Sequence, residues 1–247
     1  MANPALTEKR ITQLASKTDV GPRMTRLGVV KALGVFGVFA FVGAFFGWGR
    51  ASAGAITSGT NTLMLVSIIA ALVLSFVIVS KPRTAPVLGV VYALLEGFAV
   101  GIVSAVYNAR YHGIVVDALG ATVCVALCVW FLYGTGIVKV TAKTTRVISM
   151  AVMGAFAFYM ISLVSSLLGG PNFDAQGGVL GIGVSLVLAV IAAATFLTDF
   201  DRIDRLIAAN AEAAYDWYGA FGLLISFVWL YLEILNVMGK ASGAGRR

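Results

Sequence analysis

The feature that most constrains this chain is a succession of apolar runs, each of about the 20 residues that an α-helix needs to cross a bilayer. The composition agrees, because 12% of the 247 residues are charged, against roughly 25% in a typical soluble domain. The sequence therefore predicts an all-α membrane protein with seven transmembrane helices, at residues 28–48, 62–80, 86–108, 117–138, 147–168, 179–200 and 218–238.

Basic residues are unevenly shared between the two sets of loops. Short loops rich in Lys and Arg mark the cytoplasmic side of a membrane protein. With the N-terminus in the cytoplasm, only Arg50 and Arg110 fall in the opposite loops. A full crossing by the last segment puts Lys240, Arg246 and Arg247 outside, against this rule, so a half-inserted last segment is the alternative. The predicted cytoplasmic loops hold Lys81, Arg83, Lys139, Lys143, Arg146, Arg202 and Arg205.

The chain is predicted to form one membrane domain with two short extensions. Residues 1–26 are polar and basic and predict a partly flexible cytoplasmic arm, residues 27–240 form the seven-helix domain, and residues 241–247 form a flexible tail. Within the apolar runs, pairs of glycines four residues apart predict close packing of helices. These pairs are Gly43 with Gly47 and Gly97 with Gly101.

The reactive side chains argue against an enzyme. His112 is the only histidine, so the chain can supply neither an H-E-x-x-H zinc site nor a haem site with cysteine or histidine partners. Cys124 and Cys128 lie one helical turn apart in an apolar run, which favours small buried side chains over a disulfide. The net charge of +7 is spread over short clusters and forms no basic face. We expect no cofactor and no nucleic-acid partner.

Three carboxylates lie inside or at the ends of apolar runs, where an ionised group is costly to place. Glu96 is ten residues into the third run, about 15 Å from its start and near the middle of the bilayer. Asp199 ends the sixth run at the cytoplasmic face, and Glu233 lies five residues before the outer end of the seventh. We expect the three to mark a middle, an inner and an outer station of one cation path, and they are the candidate Ca²⁺ ligands.

Structural roles are the alternative for these carboxylates. Asp201 and Arg205 have the i,i+4 spacing of a salt bridge, and Asp199 could belong to the same salt-bridged helix end. Glu96 could be protonated and serve as a hydrogen-bonded latch. Glu233 could extend along its own helix to the membrane surface.

Four short motifs follow one another along the chain: RMT at 23–25, LLEGFAVG at 94–101, TDFDRI at 198–203 and WLYLEIL at 229–235. In this order and spacing they resemble the Bax inhibitor-1 family, also called the transmembrane Bax inhibitor motif family. The first and last motifs point to its bacterial branch. The resemblance covers nearly all of the chain from residue 22 onward.

The resemblance implies six helices around a central seventh and a pH-sensitive calcium leak. It implies a sensor made of two aspartates, one ending span six and one in span seven, with a basic residue at the inner end of span two holding the first. Asp199 matches the first aspartate, and Lys81 and Arg83 lie where the basic residue is expected. The second falls at about Leu223 or Leu224, which cannot titrate, so another buried carboxylate substitutes or the gating differs.

Two classes of function follow from these observations. The first is a pH-sensitive cation leak channel or exchanger, with Ca²⁺ as the expected ion, gated when protonation of Asp199 releases it from Lys81 or Arg83. Glu96 and Glu233 then line the ion path. The second is a non-conducting interaction protein that modulates a membrane protease or a stress response through its N-terminal arm. The expected setting is a bacterial inner membrane, and a monomer is compatible with the sequence.

Overall fold

The computed structural model describes residues 21–52, 58–171 and 178–244. In these ranges, seven helices are long and apolar enough to cross a membrane, as predicted. Residues 1–20 of the predicted arm and 245–247 of the predicted tail lie outside the described residues. The helices are α1 (Arg26–Ser52), α2 (Ser58–Ser80), α3 (Ala85–Arg110), α4 (Ile114–Gly134), α5 (Ala142–Leu167), α6 (Gly178–Ala208) and α7 (Ala214–Ala244).

The helices run in alternating directions, so the bundle has two ends. The proximal end holds residues 22–25, the α2–α3 connection and the α6–α7 connection, which hydrogen bonds and ion pairs bring together. The distal end holds the last turns of α3 and α7 and the first turn of α6, where Lys240 reaches Gly181. Under the charge bias of the loops, the proximal end is the one predicted to face the cytoplasm.

Helix α7 lies at the centre of the bundle. It packs against α1, α3, α4 and α6, whereas α2 packs mainly on α3, and α5 mainly on α6. Aromatic side chains fill the contacts around α7: Phe221 meets the ring of Tyr92 and Phe227 meets the ring of Phe196, each with ring centroids 4.9 Å apart. Edge-to-face contacts of this kind fix helix positions as well as burying area.

Helices α1 and α3 approach closely because glycines face the backbone of the partner helix. A Cβ on Gly43 would collide with the carbonyl oxygen of Leu94, and one on Gly97 with that of Ala40. The same collision would occur at Gly47 and at Gly101. Both predicted glycine pairs therefore pack as expected of small residues between membrane helices.

The outer surface of the bundle is apolar, as expected for contact with lipid. Phe41 is 73% exposed, and large aliphatic side chains on α2, α5 and α6 are similarly open. A soluble protein rarely leaves an apolar area of this extent in water. Cys124 and Cys128 also lie on this surface as free thiols. The prediction that they are buried was wrong, because their face of α4 is turned away from α7.

Several helix ends differ from the predicted boundaries. α6 continues to Ala208, and α7 spans Ala214–Ala244, because charged residues that interrupt an apolar run can still extend a helix when they are paired. Asp201 and Arg205 form such a pair on α6. Residues 241–244, assigned by the sequence to a flexible tail, continue α7 as a helix.

Helix α4 ends earlier than predicted, at Gly134 rather than near Val138. Gly136 has a φ of 73°, the left-handed conformation that commonly ends a helix. Its amide donates to the Tyr133 carbonyl at 3.0 Å, which closes the last turn.

Candidate functional site

Asp199 lies on the face of α6 that packs against the central helix. The Ser226 hydroxyl of α7 donates a hydrogen bond of 2.5 Å to Asp199 Oδ2. Thr195 Oγ1, one turn earlier on α6, lies 3.0 Å from Ser226 Oγ. A buried carboxylate needs such donors to offset the loss of its hydration. The Ser226 hydroxyl therefore holds this carboxylate from the side of the central helix, and Thr195 contacts Ser226 in turn.

A cavity of about 80 Å³ adjoins the Asp199 carboxylate. α6 and α7 form most of its wall, and Val79 at the end of α2 contributes the rest. Arg202, three residues after Asp199, is the basic side chain in the wall. One water occupies roughly 10–15 Å³ of such space, so the cavity can hydrate the carboxylate.

Asp199 does not end the helix that carries it, although it ends the apolar run. α6 continues for more than two turns to Ala208, and Ser226, the partner of Asp199, lies near the middle of α7. Asp199 is therefore inside the bundle. The prediction placed it at the boundary because the apolar run ends there, whereas the helix does not.

The predicted basic partners of Asp199 are engaged elsewhere or exposed. Arg83 Nη2 contacts Glu212 Oε1 at 2.6 Å, and the exposed Lys81 lies at the start of the turn before α3. The predicted ion pair between Asp199 and either residue is therefore not formed. The α2–α3 turn places Arg83 beside the α6–α7 connection, where its guanidinium group binds Glu212 and not Asp199.

Glu96 lies partly buried in α3, one turn beyond Tyr92 on the same side of the helix. Tyr92 packs against Phe221 of α7, so Glu96 also lies on the side of α3 towards the central helix. Among the residues that the structure describes, none donates a hydrogen bond or forms an ion pair with the Glu96 carboxylate. The hydrogen-bonded latch that the sequence left open for Glu96 is not formed here.

Glu233 is buried in the bundle, with 3% of its surface exposed. The Tyr159 hydroxyl of α5 donates to Glu233 Oε1, and the Trp229 indole N–H donates to the same oxygen at 3.0 Å. Within the described residues, Glu233 Oε2 has no hydrogen-bond partner. The alternative in which Glu233 extends to the membrane surface is wrong, because its carboxylate is buried and bonded to Tyr159 and Trp229.

The three carboxylates lie at two heights in the bundle and not at three. Two contacts set the register of α3 against α7, the Tyr92–Phe221 ring contact and a 2.7 Å hydrogen bond between Ser104 and Tyr231. This register puts Glu96 level with the turn of α7 that holds Ser226, and hence level with Asp199. Glu233 is about two turns further towards the distal end. No three His, Cys, Asp or Glu side chains of the described ranges cluster as metal ligands.

A segment before α1, residues 22–25, lies across the proximal end, and we call it the strap. It exchanges two backbone hydrogen bonds, both of 2.9 Å, with the α6–α7 connection at residues 209–213. Arg23 Nη1 donates a third bond, of 3.0 Å, to the Asn210 carbonyl. Asn210 has a φ of 54°, a conformation that asparagine tolerates better than most residues. The strap thus ties the start of the described chain to the last helical hairpin.

The strap also packs beneath the Asp199 cavity. Met24 is 3% exposed, and its Cε lies 3.2 Å from the point where a Cβ on Gly219 would be, with Ile203 beside it. Gly219 and Ile203 both line the cavity. Thr25 N donates to Asp216 Oδ1 at 2.9 Å, which fixes the strap next to Met24. The Met24 side chain therefore packs against the proximal part of the wall of the Asp199 cavity.

Asp204 joins three helices at the same end. Arg26 of α1 binds both of its carboxylate oxygens, at 2.9 and 3.0 Å, and the Tyr133 hydroxyl of α4 donates to Oδ2 at 2.9 Å. The bidentate geometry favours a defined orientation of the two side chains. The predicted pair of Asp201 and Arg205 is confirmed at 2.7 Å.

Sequence reasoning missed Ser226, Met24 and the partners of Asp204. A signal existed for Ser226, which is an isolated hydroxyl in a strongly apolar run. The motif at 23–25 indicates the family but does not predict that Met24 is buried. Its contacts cross 187 residues of sequence, and no local pattern encodes a contact of that separation.

The fold and the buried carboxylates define a helical, multi-pass integral membrane protein. The family model described as "Bax inhibitor 1 like" matches residues 3–243, nearly the whole chain, so the protein belongs to this family. No curated protein matches the chain.

Proposed function

We propose that this protein conducts cations across the membrane, as a leak channel or an exchanger, and that protonation of buried carboxylates controls the flow. The observation that carries the proposal is the Asp199 carboxylate, which lies beside a cavity between two helices and is held by a hydroxyl group. Calcium is the ion we expect, from the family resemblance and because hard cations prefer carboxylate oxygens.

The Ser226–Asp199 hydrogen bond supplies the physical link between pH and movement. The Ser226 hydroxyl donates to Asp199 at 2.5 Å, and a hydroxyl bond to an ionised carboxylate is about twice as strong as a neutral one. Protonation of Asp199 weakens the bond and removes a negative charge from the cavity, without breaking a salt bridge. Helix α6 is then freer to move against α7, and the passage beside Asp199 changes its size and charge.

The test is calcium flux against pH in proteoliposomes that contain the purified protein and an indicator dye. Asp199→Asn keeps the shape of the side chain but cannot titrate, so we expect its flux to be independent of pH. Asp201→Asn is the matched control, because Asp201 lies on the same helix but is paired with Arg205. An Asp199→Asn variant with the wild-type pH profile would refute the proposed role of Asp199.

Glu96→Gln tests whether Glu96, which lies level with Asp199, belongs to the proposed ion path. Because the Glu96 carboxylate has no described partner, its neutral isostere should leave the unfolding temperature unchanged. Removing a charge from the path should nevertheless lower calcium flux at every pH. Unaltered flux in a folded Glu96→Gln protein would assign Glu96 a purely structural role.

The second candidate function is a non-conducting interaction protein, and the ion pairs of the proximal end favour it. Arg26 and Arg83 form ion pairs with Asp204 and Glu212 there. The strap, at the end of the N-terminal arm, is held in place by hydrogen bonds to the α6–α7 connection. This function predicts no flux of any cation in proteoliposomes between about pH 4 and pH 8, a range that includes the ordinary pKa values of glutamate and of imidazole. It also predicts that removal of residues 1–20 abolishes the effect of the protein on a membrane protease in the same membrane.

A further inference from the structure

The distal end contains a second cavity, of about 640 Å³, that the proposed gate does not use. The last turns of α3 and α7 form most of its wall. Two basic residues, Arg110 and Lys240, line it together with Tyr107 and Asn236. Glu233 lies deeper in the bundle, on the same helix as Lys240 and two turns before it.

The Lys240 ammonium group is turned into the bundle. Its Nζ donates to Ser185 Oγ at 2.7 Å and lies 3.5 Å from the Gly181 carbonyl oxygen. Ser185 is fully buried, at 0% exposure. Hydroxyl and backbone carbonyl oxygens are also the groups that replace the hydration shell of a small cation inside membrane proteins. We call this position, defined by Ser185 Oγ and Gly181 O, the ammonium seat.

The Glu233 carboxylate, which is buried two turns before Lys240 on α7, has an unsatisfied oxygen. Glu233 Oε1 accepts two hydrogen bonds, whereas Oε2, equally buried, has none from the described residues. Lys240 follows Glu233 by seven residues, so the two side chains leave α7 on the same face.

We infer that Lys240 is a tethered counter-cation: its ammonium group fills a small-cation site between the distal cavity and the Glu233 carboxylate. The lysine thereby keeps free cations in the distal cavity away from Glu233. This inference does not require that the protein conduct ions. Where the proposed conduction holds, Lys240 is also the barrier that a cation meets at the distal end.

The competing explanation is that Lys240 only anchors α7 to α6 through Ser185. The two explanations differ in what happens when the ammonium group is removed. Loss of an anchor lowers stability equally in every salt. Loss of a counter-cation leaves a buried carboxylate and a vacant seat, which sodium or potassium ions from the distal cavity can then fill.

The test is thermal unfolding of the full chain in detergent, in sodium, potassium or choline chloride at equal ionic strength. Wild type should unfold at one temperature in all three salts. Lys240→Met should unfold at a lower temperature in choline and regain stability as sodium or potassium rises, because a ligand that binds only the folded state raises Tm with its concentration. Choline is too large for the seat and controls for ionic strength.

Two further variants make the outcome decisive. Lys240→Met combined with Glu233→Gln should lose the response to sodium and potassium, because the uncompensated carboxylate is gone. Arg110→Met removes the other basic residue of the cavity and should show no difference between the salts. If Lys240→Met does not fold, Lys240→Gln replaces it, since glutamine keeps a donor for Ser185.

Equal unfolding temperatures of the Lys240 variant in all three salts would overturn the inference, and so would a response that persists after Glu233→Gln. A failure of the proposed conduction leaves these unfolding temperatures unaffected, so the two failures are distinguishable.

Discussion

Ser226 determines how the carboxylate of Asp199 is held, because it is the residue of α7 that contacts it. The family resemblance implies an aspartate in span seven as the partner of Asp199, and the sequence placed it near Leu223 or Leu224. Both leucines are buried apolar residues of α7, and the contacting position is two residues further along. The proposed sensor of this protein therefore pairs a carboxylate with a hydroxyl, where the resemblance implies two carboxylates.

Ser226→Asp tests this difference directly. It places a second carboxylate within hydrogen-bond distance of the first, and two carboxylates so close share a proton because they cannot both ionise easily. We expect the midpoint of calcium flux against pH to move to higher pH. The measurement is the same proteoliposome assay, with Ser226→Ala as the control that removes the hydroxyl without adding charge. An unchanged midpoint in Ser226→Asp would mean that residue 226 does not influence the proposed gate.

The strap, residues 22–25, packs across the proximal end of the bundle and contacts the α6–α7 connection. Met24 packs against Gly219 and Ile203, which line the Asp199 cavity. Met24→Ala removes a buried side chain, a change that typically costs about 2–5 kcal/mol. It should also loosen the cavity wall against which Met24 packs, so we expect a lower unfolding temperature together with a faster calcium leak.

Leu27→Ala is the control for Met24→Ala, because Leu27 is a similar side chain three residues away that is 63% exposed. It should leave both stability and leak close to wild type. A Met24→Ala variant that is destabilised but leaks at the wild-type rate would limit the strap to a structural role.

The contact between α1 and α3 gives a prediction at the level of whole helices. A methyl group on Gly43 would meet the backbone of Leu94, which cannot move aside as a side chain would. Overpacking of this kind typically costs about 1–3 kcal/mol, so Gly43→Ala should separate the helices and lower the unfolding temperature in detergent. Gly34→Ala on the same helix is the control, since nothing lies within 4 Å of a Cβ there. Equal stability of the two variants would contradict the observed packing.

The existence of the helices follows from the sequence, whereas their ends and partners do not. The length of an apolar run is a local property of the sequence, so all seven helices could be predicted. The end of α6 depends on the Asp201–Arg205 pair, and that of α4 on a left-handed Gly136, which apolar length does not record. The site depends on contacts between distant segments, such as Arg83 with Glu212. Local charge placed Arg83 correctly at the proximal end but could not choose its partner.

At the scale of the whole molecule, seven alternating helices place the two ends of the described chain at opposite ends of the bundle. α7 is a continuous helix of 31 residues, long enough to cross the membrane completely. The charge bias of the loops predicts that its last turn faces the outside of the cell.

Cysteine labelling tests this topology. In a background without Cys124 and Cys128, Ser242→Cys should react with an impermeant maleimide added to intact cells. Ala209→Cys, at the proximal end, should react only after the membrane is opened. Labelling of both positions from the same side would mean that the last helix does not cross the membrane.

The bond between Arg23 and Asn210 joins residues 187 positions apart, and this separation has a consequence for biogenesis. A ribosome adds about 5–20 residues per second, so the partner of Arg23 is synthesised about 10–40 s after it. Until then, α1 to α5 enter the membrane without the strap in place. The strap can bind only after the α6–α7 connection has been synthesised, so a chain truncated before residue 209 cannot form these hydrogen bonds.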